Sequence, residues 1–178
     1  AVTSPMPQEG KSVTSVNLAM SLAREVNHTV LLADFDLRQP RVHDLLGLDI
    51  EMGIGDYLES DEPLSSILVN PGVDRLVVLP GRTGQHHASE LMSAPRMRQL
   101  VDDITHRYPE RIVLFDMPPV CVSDDVLAFS PLVDAFLLVV QDGQTDQPSL
   151  RHAAELLKNV NLAGTVLTMS EQATAVGY

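Results

Sequence analysis

The sequence predicts an α/β fold: a mostly parallel β-sheet with helices on both faces, in three layers. Three observations predict it. Short, almost wholly apolar runs such as residues 29–33 (TVLLA), 111–115 (RIVLF) and 135–141 (AFLLVVQ) read as strands buried on both sides. Between them lie longer stretches with apolar residues at three- and four-residue spacing, as amphipathic helices have. The two kinds of segment alternate along the chain, which is the order that builds a parallel sheet.

Residues 1–4 read as the end of a first strand. Strands of about 5–6 residues are usual, so this one looks cut. Residues 11–26 form a helix with Val13, Val16, Ala19, Leu22, Ala23 and Val26 on one face. Residues 29–33 form the next strand and residues 74–79 (DRLVVL) another. Residues 89–108 form one long helix whose apolar face is Met97, Leu100, Val101 and Ile104. Strands follow at 111–115 and 135–141, then a helix at 149–159 and a last strand at 163–169. There is no internal repeat, and no linker rich in Pro, Gly or Ser divides the chain. Residues 1–178 are therefore expected to be a single domain, taken from something longer.

Composition excludes several classes. The 178 residues are 44% apolar and 20% charged, an ordinary globular balance. The longest apolar run, residues 135–140, is far short of the ~18 residues that a membrane span needs. No charged-then-apolar leader is present. The net charge is −12 with no basic face, which argues against nucleic acid as a partner. The single cysteine, Cys121, forms no internal disulfide, suits a reducing compartment and reads as a small core residue. Six histidines, including His86-His87, show no zinc-type spacing.

Lysine is scarce: only Lys11 and Lys158 occur. Lys11 lies in SPMPQEGKS, between the first strand and the first helix. Gly10-Lys11-Ser12 is the end of a Walker A loop, in which Gly10 allows close backbone approach to a phosphate. Successive amides and the helix N-terminus make an anion nest; Lys11 adds a point charge and Ser12 a hydroxyl for Mg²⁺. The strict pattern has Gly where Pro5 stands. A second motif is LLADFDLRQP, whose Asp34 and Asp36 leave the second strand at the end where open α/β sheets hold ligands. One carboxylate would serve Mg²⁺ and the other a hydroxyl or water; an acidic helix N-cap is the alternative. A third motif, IVLFDMPPV, ends a buried strand in Asp116, a Walker B carboxylate, with Pro118-Pro119 stiffening the loop.

SPMPQEGKS, ADFDLRQP and FDMPP together resemble the bacterial tyrosine kinases of capsule and exopolysaccharide assembly, over nearly the whole chain. Within that family the run from Asn17 to Pro40 resembles the autokinases associated with exosortase-type loci. Asp34-x-Asp36-x-Arg38-x-Pro40 is similar to the family's Walker A′ motif. Gly81 with the run from Ala88 to Met92 is similar to its segment before a long helix, and Asp124, Asp125 and Asp134 fall where it has aspartates. The resemblance implies a P-loop NTPase, Rossmann-like three-layer sandwich, related to the deviant-Walker partitioning ATPases. It implies ATP and Mg²⁺ as cofactors, with the phosphates held by Pro7, Gln8, Glu9, Gly10, Lys11, Ser12, Val13 and Arg38. Ser12, Asp36 and Asp116 would support the metal; Lys11, Asp34, Asp36 and Asp116 would be catalytic, Asp34 accepting the tyrosine proton. Tyr178 would be a phosphoacceptor, in trans within a homo-oligomer. A transmembrane polysaccharide co-polymerase would be the activator, placing the domain in the cytoplasm at the inner membrane face. Three departures stand out: Gln8 where the family has Gly, Thr168 where it often has Asn, and Met6 near the signature lysine of the partitioning ATPases. A partitioning-type ATPase switch and a non-catalytic nucleotide-binding scaffold are the competing readings. Tyr57 and Tyr108 lie in helical patterns, Tyr108 packing on the core.

Overall fold

The computed structural model describes residues 1–60, 62–82, 88–108 and 110–170. Among the described residues, six strands form one sheet: β1 (Val2–Thr3), β2 (Thr29–Asp34), β3 (Leu76–Leu79), β4 (Arg111–Asp116), β5 (Phe136–Gln141) and β6 (Leu162–Thr168). Their order across the sheet is β3-β2-β4-β1-β5-β6, and every pairing between them is parallel. An isolated antiparallel bridge joins Val69 to Val78 of β3. The helices are α1 (Lys11–Leu22), α2 (Val42–Leu45), α3 (Ile54–Glu59), α4 (Leu64–Ile67), α5 (Ala88–Ser93), α6 (Pro95–His106), α7 (Asp125–Phe129) and α8 (Gln147–Leu156).

The pleat of β2 shows how the layers arise. Val30 and Leu32 join Val16 and Ala19 of α1, and Ala23 at its C-terminal cap, in one apolar cluster. Leu31 and Ala33 point the other way and join Met97, Leu100, Val101 and Ile104 of α6. A strand apolar at successive positions is thus buried on both sides, as a helix-covered parallel sheet requires. The expected apolar face of the 89–108 segment is buried in full. Among the described residues, no helix is long and apolar enough to cross a membrane.

Several expectations need correction. The long helix is two: Ala94 is extended (φ −65°, ψ 144°) because the residue before a proline avoids helical ψ, and Pro95 then starts α6. The first helix stops at Leu22, so Val26 is 79% exposed. Val13 is 49% exposed, because α1 turns Ser12, Ser15, Val16 and Ala19 inward and Val13 lies off that stripe. Tyr108 lies beyond α6, 48% exposed, with the Arg111 guanidinium 4.1 Å above its ring. Tyr57 lies in α3, packed against the core. The short helices α2, α4 and α7 were not legible, since each has too few turns to show a period.

Beneath the sheet's C-terminal ends, Phe35, Phe115 and Phe129 pack ring to ring with centroids 5.0–5.1 Å apart. Phe35 sits between Asp34 and Asp36, and Phe115 precedes Asp116. The apolar knot therefore fixes the backbone that presents all three carboxylates. Phe129→Ala is expected to cost about 3–5 kcal/mol by the cavity it leaves. Urea unfolding checks this; a loss under about 1 kcal/mol would mean the knot collapses freely.

Candidate functional site

The loop from Ser4 to Gly10 leaves β1 and enters α1. It is closed on itself: the Ser4 hydroxyl donates to the Met6 carbonyl (2.7 Å), and the Met6 amide donates to the Glu9 carboxylate (2.9 Å). Glu9 is buried and also accepts from Thr145 Oγ1 (2.5 Å), while its carbonyl accepts from Thr168 Oγ1 (2.7 Å). Its side chain thus braces the loop against the ends of β5 and β6. It does not line the cavity where nucleotide phosphates were expected. Thr168 lies behind the loop: a side chain at Gly10 would meet its Cγ2 at 3.4 Å. Gly10 has φ 90° and Gln8 φ 67°. In the left-handed region Gln8 carries about 1 kcal/mol of strain that glycine would not.

The loop opens on a cavity of about 460 Å³ at the C-terminal edge of the sheet. Pro7, Gln8, Gly10, Lys11, Ser12, Val13, Asp36 and Arg38 line it, as expected from the sequence. Gln39, Arg41 and Leu45 form a further wall, and Pro118, Pro119, Val122, Ser123 and Met169 face them. Arg41, Leu45, Val122 and Met169 carry no signal in the sequence, because they come from segments without periodicity.

Charge is concentrated here. Lys11 Nζ lies 2.8 Å from Asp36 Oδ2, 3.7 Å from Asp116 Oδ2 and 3.2 Å from Ser12 Oγ. Burial pulls the Lys11 ammonium down, but Asp116 and Asp36 outweigh it and hold it above the ordinary lysine value. Asp116 is fully buried; its Oδ2 accepts from Ser12 (2.6 Å) and its Oδ1 from Ser15 (3.0 Å). Burial pushes the Asp116 carboxyl up, against the pull of Lys11 and the two hydroxyls. Ser15 was missed by the motif reading, although it shares the inner stripe of α1 with Ser12.

Asp34 is where the geometry departs most from expectation. It is fully buried, and its Oδ2 accepts from the amides of Arg41 (2.9 Å) and Val42 (3.0 Å). Its Oδ1 faces the Asp36 amide at 3.3 Å. The carboxyl therefore closes the turn that carries Asp36 and Arg38 and anchors the start of α2, close to the alternative role of an acidic cap. It is absent from the cavity wall. Gly81 packs over it: a side chain there would come within 3.0 Å of the Asp34 carbonyl. Burial, then repulsion from Asp116, raises the Asp34 carboxyl well above the usual aspartate range.

Arg38 donates to Ser89 Oγ (2.6 Å) and pairs with Asp125 (3.5 Å), which also accepts from Ser123 Oγ (2.6 Å). Cys121, half-buried, packs against the core near the loop, and its amide donates to the Pro5 carbonyl. Tyr178 and His86-His87 lie outside the described residues.

The donor set suits Mg²⁺, a hard cation that takes oxygen ligands and keeps waters. Ser12 Oγ and Asp116 Oδ2 are adjacent, and Asp36 shares Lys11 with Asp116. Among the described residues no three His, Cys, Asp or Glu side chains converge to hold a metal by themselves. The rest of its shell would come from water and phosphate.

No family model matches the chain. The curated tyrosine-protein kinase YwqD of Bacillus subtilis is 31% identical over 156 residues, 88% of this chain and 65% of that protein. The succinoglycan biosynthesis transport protein ExoP of Rhizobium meliloti is 28% identical over 176 residues, 96% of this chain and 22% of that protein. The chain thus spans less than two thirds of these relatives. Among solved structures, the VpsO kinase domain superposes with TM-score 0.84 at 29% identity, covering 93% of this chain and 81% of that one. The Escherichia coli Etk kinase domain gives 0.83 at 28%, covering 99% and 71%. The septum site-determining protein MinD of Pyrococcus horikoshii, solved with Mg-ADP, gives 0.76 at 20% over 96% and 70%, a likeness of fold alone.

The raised carboxyls give ligand-free stability a defined pH dependence. The folded state binds more protons than the unfolded state above the ordinary aspartate value of 3.8. Stability from these carboxyls is complete below that value and is lost as pH climbs through their raised folded values. Asp34→Asn is expected to flatten the fall that begins above the ordinary aspartate value of 3.8 by up to ~1.4 kcal/mol per pH unit. Urea titrations at several pH values check it, and an unchanged slope would contradict the burial argument.

Proposed function

The chain is a relative of the bacterial tyrosine-protein kinases, and we propose that it is the catalytic domain of a Mg-ATP-dependent protein-tyrosine kinase of exopolysaccharide assembly. The observation that carries the reading is the convergence of Lys11, Ser12 and Asp36 on one cavity, with Asp116 buried directly behind Ser12 and Lys11. Open α/β sheets bind ligands at this edge.

The amides of Gly10, Lys11 and Ser12 and the N-terminus of α1 receive the phosphates. Lys11 Nζ leaves Asp36 for the β- and γ-phosphates, and its charge stabilises the leaving oxygen. Ser12 and Asp116 would hold Mg²⁺, which would supply positive charge against the phosphates. The tyrosine oxygen attacks the γ-phosphorus, the bond to the β–γ bridging oxygen breaks, and ADP leaves. The phenolic proton passes to a carboxylate. Asp36, on the cavity wall and free of backbone amide bonds to its Oδ2, takes that proton in this geometry. Asp34, committed to three amides, holds the turn in place. Asp36 also stays near the metal, the role that the motif first suggested.

The acceptor is a tyrosine of a neighbouring copy, with Tyr178 the first candidate. The names of relatives such as ExoP support a polysaccharide-export setting, with a transmembrane co-polymerase as activator at the inner membrane face. The partitioning-type ATPase switch has the shared fold in its favour.

Peptide mass spectrometry after incubation with MgATP and any activating segment tests the reading. Phosphotyrosine is expected in the wild type, and Lys11→Met is expected to remove it through loss of several kcal/mol of transition-state stabilisation (about 3–4 kcal/mol, as for one preorganised donor). Lys11-dependent phosphate release without phosphotyrosine would replace the kinase with the ATPase switch. Asp36→Asn is expected to lower turnover about 100-fold or more while nucleotide still binds. Asp34→Asn should instead show its main effect in stability; the reverse pattern would return the base to Asp34.

A further inference from the structure

We propose that Ser15 is a positioning residue for Asp116 and sets how strongly Mg²⁺ supports nucleotide binding; this rests on the nucleotide reading above. The inner stripe of α1 is otherwise apolar after the phosphate loop: Val16, Ala19 and Ala23 pack on the sheet. Ser15 is fully buried on that stripe and carries a hydroxyl where the packing calls for none.

Its Oγ lies 3.0 Å from Asp116 Oδ1 and 3.0 Å from the Lys11 carbonyl. A hydroxyl has one proton, and the carboxylate is the stronger acceptor. The two oxygens of Asp116 are thereby divided. Oδ1 is tied to the helix by Ser15, and Oδ2 faces Ser12 Oγ at 2.6 Å, on the side toward Lys11 Nζ. Among the described residues, no hydrogen bond other than that from Ser15 reaches Oδ1. A carboxylate's terminal torsion has broad, shallow preferences, so without that tie it turns easily about its Cβ–Cγ bond. Ser12 alone then fixes it, and Ser12 is itself a proposed ligand. Partners of this second kind, which orient a ligand without touching the metal, change metal affinity about 10–100-fold when removed.

The test titrates a fluorescent (N-methylanthraniloyl) ADP into the 178-residue chain with and without Mg²⁺. The ratio of the two affinities is the readout. Ser15→Ala is expected to lower that ratio about tenfold or more and leave the Mg²⁺-free affinity unchanged. Ser15→Cys keeps the shape and most of the packing but donates only weakly, so it is expected to behave like Ser15→Ala even if the alanine variant unfolds. Ser15→Thr, which keeps the hydroxyl, is expected to retain the wild-type ratio. Variants without the hydroxyl that keep the full ratio would overturn the role of Ser15. So would variants that lose Mg²⁺-free and Mg²⁺-bound affinity equally, because that pattern reports a damaged loop. A wild-type chain that binds the probe with no Mg²⁺ dependence would instead overturn the metal-nucleotide reading itself.

Discussion

One buried ammonium among three buried carboxylates is the constraint on which the rest of the structure depends. Lys11 stands between Asp36 and Asp116, with Asp34 behind them, in a protein that has only one other lysine. Burying such groups costs several kcal/mol per ion unless each is paired and hydrogen-bonded. Each of them is: Ser12 and Ser15 serve Asp116, the amides of Arg41 and Val42 serve Asp34, and Lys11 serves Asp36. The carboxylates still outnumber the ammonium, an excess that a divalent cation would offset.

The sheet order explains how distant parts of the chain reach this point. β2, β4 and β1 are neighbours, so the loops after residues 3, 34 and 116 emerge side by side. Register keeps them level: Asp34 pairs with Asp116, and Asp116 with Val2. Below them the three phenylalanine rings hold the strand ends. Above them Glu9 ties the phosphate loop to Thr145, and Thr168 supports Gly10 from behind. The strained backbone at Gln8 is tolerated because both flanks of the loop are tied down in this way.

Much of this was legible in the sequence, and the illegible parts have physical reasons. Continuous apolar strands and the Gly10-Lys11-Ser12 turn announced the fold and the phosphate end of the site. The split at Pro95 follows from a rule about residues before proline that the apolar period of 89–108 concealed. Val13 and Val26 were misplaced because the period was anchored on valines, whereas Ser12 and Ser15 define the inner face. Asp34 and Asp36 are alike as sequence; only the fold shows one spent on backbone amides and the other on the cavity wall. Glu9 likewise sits in the phosphate motif, yet its carboxylate faces away from the cavity. Hydroxyl partners such as Ser15 and Thr145 belong to no motif, because their role depends on a carboxylate brought to them by folding.

These observations make the site a division of labour between groups that hold and groups that act. Asp34, Glu9, Ser15 and Thr168 brace the backbone and its carboxylates by hydrogen bonds; Lys11, Ser12 and Asp36 line the cavity, with Asp116 bonded to Ser12 behind them. The most direct measurement of that claim is a crystal structure of the chain with Mg²⁺ and a non-hydrolysable ATP analogue. The account predicts phosphates against the Gly10–Ser12 amides, the metal between Ser12 and Asp116, and Lys11 moved from Asp36 to the phosphates, with Asp34 still on the Arg41 and Val42 amides. A nucleotide bound elsewhere, or a metal coordinated by Asp34 in place of Asp116, would contradict it.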